Sequence, residues 1–169
     1  MKVICIIILT ILFGVFIWRA ILADYEYNNQ YGSYWELADK ASTLEQKSKM
    51  INEFVARLEN SGESGHNAIW LKTPDNSWDK NMEALKTLQL RLEEIKTMNP
   101  NSFEYQQAIS QITSQEQGEA DKMLHTIEGI WYKNNHFFLW SWIGTLIFIF
   151  LFFSLLIGSI VLLTFAFDL

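Results

Sequence analysis

The chain has 169 residues, is half hydrophobic and 15% aromatic, and carries a formal net charge of −6. That length suits one modest domain. The acidic balance argues against nucleic acid as a partner, because phosphate contacts need a basic surface.

Charge is absent from the first sixteen residues after Lys2. Val3–Trp18 reads VICIIILTILFGVFIW. Extended to Ala23, the run becomes long enough for a transmembrane helix, with Trp18 and Arg19 at the interface and Arg19 reaching it by snorkelling. A lysine before an apolar run also fits a signal peptide, with Ala23 a poor cleavage position. The expectation is an uncleaved signal anchor over 1–23. The single cysteine, Cys5, lies inside it, so no disulfide framework exists. Thr10 and Gly14 have small-xxx-small spacing, which lets a second helix approach closely.

Residues 24–136 hold 18 acidic and 11 basic side chains. They read as an extramembrane helical domain with helices over about 34–59, 78–98 and 102–133. In the first, Leu37, Ala41, Leu44, Ser48, Ile51, Val55 and Leu58 alternate by four and three, a seam for helix packing. NSGESG ends it. Trp70 then stands in a Gly-, Ser- and Asn-rich connection, either as a lid over the helical core or as an exposed partner anchor.

The second helix follows PDNS, with Asn76 or Ser77 as cap and a stripe of Trp78, Met82, Leu85, Leu88, Leu92 and Ile95. Asn99-Pro100-Asn101-Ser102 breaks the chain again, and Asn101 or Ser102 caps the third helix. Both spans meet this region at one membrane face, so the chain must leave and return. Three helices of about 39, 31 and 48 Å would end on the wrong side. The expected fourth pass is the 60–77 connection, which can cover about 60 Å when extended. The alternative is a break near Gly118.

Trp131, Tyr132, Lys133, Trp140 and Trp142 cluster just before and within the start of a second apolar run, Phe137–Phe167, which holds thirty-one residues without a charge. A domain this small cannot bury such a run, so it reads as a transmembrane helix within 137–169. The aromatic rings and the lysine fit a membrane–water belt. Ser154 and Gly158 repeat the small-xxx-small spacing.

The fold class expected is therefore an all-α membrane protein: two transmembrane helices flanking an extramembrane helical bundle or coiled-coil-like region. Lys2 places both termini in the cytoplasm and the helical domain in the periplasm or outside the cell.

Signals for chemistry are sparse. CxxC, HExxH, GxSxG and Walker A patterns are absent. Asp121, His125 and Glu128, at i, i+4 and i+7, are the one candidate metal face, set against a solvated face with local ion pairing. Dimetal helical proteins usually take Glu-x-x-His from two helices, and no second motif exists here. Glu116, Glu119 and Asp121 form an acidic cluster beside Gly118. No cofactor is expected.

The layout alone resembles the input half of bacterial chemoreceptors. Two residues after Phe167 leave no signalling half, so a self-contained receptor is not expected. The reading is a non-catalytic accessory or structural subunit of a larger integral-membrane complex, with the bilayer and other membrane subunits as partners. A sensory or ligand-binding module with a separate output protein is the alternative, and a metal-dependent membrane enzyme comes third.

Overall fold

The structure, a computed structural model, describes residues 2–115, 120–136 and 141–167. The described residues are helical apart from turns and one long connection, and no strand occurs among them. Helix α1 runs Lys2–Tyr27. A π-helical turn, Asn28–Gly32, joins it without interruption to α2, Ser33–Asp39. Then come α3, Leu44–Asn60, and α4, Trp78–Lys96. They are followed by α5, Phe103–Gln115, α6, Asp121–Asn135, and α7, Trp142–Phe167.

The π turn has a sequence reason. Ala23, Tyr27 and Tyr31 are buried, and Trp35 packs against the same core. Each step of four overshoots an α-helical turn by about 40°. A wider π turn absorbs that drift and keeps the aromatic residues on one face.

The helix expected over 34–59 is instead two helices. Lys40–Thr43 breaks it, and Thr43 caps α3 by accepting from the Gln46 amide at 3.2 Å. Thr-x-x-Gln is a capping-box sequence, so a local N-terminal signal overrode the long heptad-like stripe. The break shifts the phase. Ser48, Ile51, Val55 and Leu58 are buried as the stripe requires, but Leu37 faces outward and Phe54 enters the core.

This break also supplies the fourth pass. α2 leads away from α1, and α3 returns against it. α4 runs antiparallel to α3: Glu59 meets Lys86 at 2.6 Å, and Ser48 meets Glu93 further along. α5 turns back along α4 after Asn99–Ser102, where Ser102 accepts from the Tyr105 amide. α6 packs on α4 and reaches α1. The 61–77 connection therefore does not climb the domain. It stays at the end where α3 stops and α4 starts. The break considered near Gly118 falls outside the described residues.

The core lies between α2, α3, α4 and the inner faces of α5 and α6, with Ile51, Phe54, Leu85, Leu92, Ile127 and Ile130 fully or almost fully enclosed. α1 and α7 form a separate pair, with Phe13 and Phe16 each 5.6 Å from Phe148 between ring centroids. Two described helices, Ile7–Asp39 and Trp142–Ile160, are long and apolar enough to cross a membrane.

Candidate functional site

The densest polar and aromatic arrangement sits at the foot of the helical region, where it meets the apolar pair. α1 contributes Tyr27, and the π turn contributes Tyr31. α6 presents Trp131 and Tyr132 to them, and His136 follows α6. Their ring centroids lie 5.0–6.5 Å apart in tilted and edge-to-face pairs. Aromatic pairs in such geometry add to simple burial. Tyr132 Oη also donates to Asp24 Oδ1 at 3.3 Å.

Ionisation is suppressed here. The Tyr132 hydroxyl is raised by burial, Glu128 and Asp24. Tyr31 is raised by burial and Glu63, against a smaller opposing pull from Arg57. These tyrosines are neutral packing and hydrogen-bonding groups. His136 is buried. Its Nε2 stands 3.2 Å from Glu26 Oε2, but neither ring nitrogen makes a well-aligned hydrogen bond.

The 61–77 connection is fastened onto this foot. Asn134 and Asn135 both donate to Glu63, at 2.5 and 2.6 Å. Lys133 Nζ donates to the carbonyls of His66 and Ala68, each at 3.3 Å. The Trp78 amide donates to Gly65 O at 2.8 Å, and the Asn67 amide to Asn76 O at 2.9 Å. Gly62 and Gly65 take positive φ, +71° and +102°, which a residue with Cβ resists. Gly129 of α6 lies so close to the Asn67 side chain that a Cβ would collide with it.

A second polar node ties α3 to α4. Glu93 accepts from Lys96 at 2.8 Å, from the buried Ser48 hydroxyl at 2.5 Å and from Asn52 at 3.1 Å. The Lys96 bond, with help from Ser48 and Asn52, pulls the Glu93 carboxyl down to about 2. Ser48 was the polar exception in the expected stripe. Its partner lies on another helix, which a reading of α3 alone could not supply.

The expected interface belt divides. Trp18, Arg19 and Trp142 are exposed. Trp131, only 4% exposed, belongs to the core, and Tyr132 packs beside it. Lys133 spends its ammonium on carbonyls of the connection rather than extending away from the chain. Trp140 lies outside the described residues. Trp70 is 79% exposed, so it is not a lid.

On the candidate metal face, His125 Nδ1 lies 3.5 Å from Glu128 Oε2, while the Asp121 side chain, like Glu116, Gly118 and Glu119, lies outside the described residues. Among the described residues no three His, Cys, Asp or Glu side chains converge on a metal position. Of the small residues, Ser154 and Gly158 are half-buried. Thr10 is exposed, and a Cβ on Gly14 would meet nothing within 4 Å. Phe13 and Phe16 pack on Phe148 of α7, whereas Gly14 makes no close approach to it.

No protein-family model, curated protein or solved structure matches the chain.

Proposed function

We propose that this chain is a two-span membrane protein acting as a non-catalytic accessory subunit of a larger membrane assembly. α1 and α7 cross the bilayer, both termini lie in the cytoplasm, and α2–α6 form a helical bundle on the other side that braces a partner. One observation carries the reading. α1 and α7 meet where Phe13 and Phe16 pack on Phe148, and they leave Ile4, Ile11, Phe150 and Ile157 on exposed outer faces. Lipid covers such faces, and neighbouring helices also pack on them. Gly14 offers an open site for close backbone approach.

The test is extraction in mild detergent followed by native mass spectrometry. A stable complex with other membrane subunits is expected, weakened by Gly14→Leu while insertion persists. A protein that extracts alone and intact in every mild detergent overturns the accessory reading.

A second reading, a sensory module, draws on the unbroken run from α1 through the π turn into α2. Any shift of the apolar helix would be carried directly into α2 and α3. A small molecule that co-purifies and stabilises the monomer would favour it.

A further inference from the structure

The 61–77 connection carries two of the most exposed apolar side chains in the helical region. Trp70 is 79% and Leu71 81% exposed, and Lys72 follows them. Neither side chain is needed to hold the connection together. Backbone carbonyls and polar side chains do that: Lys133 grips His66 and Ala68, while Asn76 Nδ2 grips Leu71 O at 2.9 Å. The backbone is thus held firmly on both sides of an apolar pair that touches little of its own chain.

Its position matters more than its exposure. Lys133, Asn134 and Asn135 are the last residues of α6, a few residues before α7 begins at Trp142. They fix Glu63 to Ala68 at the level where the helical region gives way to the apolar pair. Tyr132 reaching Asp24, just after the apolar part of α1, marks the same level. Trp70 is two residues beyond the anchored Ala68. An amphipathic indole suits the headgroup region, leucine suits the acyl boundary, and lysine keeps its ammonium among phosphates.

We propose that Trp70 and Leu71 form a third membrane contact, dipping into the lipid interface beside the two spans. This rests on the membrane reading of α1 and α7. Three contacts fix a plane, so the helical region would be held at one tilt rather than swivelling on its two helices. The occupant is phospholipid at the same membrane face, because Lys133, Asn134 and Asn135 anchor the connection to the last turn of α6.

The test uses the full chain in phosphatidylcholine nanodiscs, with Cys5→Ser and a nitroxide attached in turn at Leu71→Cys, Leu90→Cys and Leu156→Cys. Leu90 is exposed on α4, and Leu156 lies on the exposed surface of α7. Collisions with oxygen report lipid, and collisions with an aqueous nickel chelate report water. The Leu71 label should favour oxygen, as the Leu156 label does, while the Leu90 label favours nickel. Adding Trp70→Glu should shift the Leu71 label towards water. A Leu71 label that reads as aqueous, beside a Leu156 label in lipid, overturns the third contact and leaves the spans intact. Poor access to both reagents places the pair against protein and overturns it too. An aqueous Leu156 label overturns the membrane reading itself.

Discussion

Helices α4 and α7 are both long, yet they solve opposite problems. α4 buries one stripe, Met82, Leu85, Leu92 and Ile95, and turns Lys80, Glu83, Lys86 and Glu94 outward. Its apolar requirement is met inside this chain. α7 is apolar on every side, and of its large side chains between Trp142 and Ile160 only Leu151 is buried. A helix apolar all round needs an apolar environment all round, and α1 covers just one side. The helical region therefore owes its shape to contacts within the chain. The apolar pair owes its stability to whatever surrounds it.

The sharpest way to break that contrast is to truncate one leucine in each. Leu85 is fully enclosed, so Leu85→Ala should cost about 2–5 kcal/mol. Leu146 is exposed, and Leu146→Ala should alter unfolding of the helical region by no more than about 0.5 kcal/mol. Urea unfolding of the detergent-solubilised protein, followed by helical circular dichroism, measures both. Equal losses would mean that the apolar pair is part of the domain core.

A smaller effect is expected where the foot is fastened. Gly129→Ala would press a methyl group onto the Asn67 side chain. Overpacking costs about 1–3 kcal/mol, and the lower end applies because the flexible end of an asparagine can move aside. The damage should be local. Hydrogen exchange should quicken at the Asn67 and Trp78 amides, which lock the connection through Asn76 O and Gly65 O, while exchange around Leu85 stays slow. Unchanged protection at both amides would mean that the close approach of α6 does not set the connection.

How much of this was legible depended on range. The apolar runs, the stripe of α4 and the caps at Ser77 and Ser102 are local patterns, and the structure repeats them. The direction of the chain was not local. One missed break, 40–43, left the 60–77 connection as the expected fourth pass, although Thr43-x-x-Gln46 was there to be read as a helix start. The belt was half legible. Composition marks Trp131 and Trp142 alike, but only tertiary contacts with Tyr27 and Tyr31 show that Trp131 is enclosed. Nothing in the sequence tied Lys133 to His66 and Ala68, or Glu63 to Asn134 and Asn135, because those pairs lie some seventy positions apart.

The contrast can be sharpened once more by acid, because a titratable carboxylate ties two helices of the helical region together. Glu93 joins α3 to α4, and its carboxyl is held down to about 2 from an ordinary 4.5, chiefly by Lys96 and then by Ser48 and Asn52. On acidification the unfolded chain takes up this proton first. The stabilisation is therefore complete above about pH 4.5 and drains away as pH falls towards 2. Glu93→Gln keeps an oxygen for Ser48 but has no charge to titrate. The wild-type advantage over Glu93→Gln should thus be constant near neutrality and shrink through that window. Lys96→Met removes the largest cause of the shift, so its own loss of stability on acidification should be shallower than that of wild type. Urea midpoints from neutral pH down to the acid limit of solubility would trace all three curves. A wild-type advantage that stays constant to the lowest pH would mean that the α3–α4 node works through its neutral hydrogen bonds. Ser48, rather than the carboxylate charge, would then be what the buried seam requires.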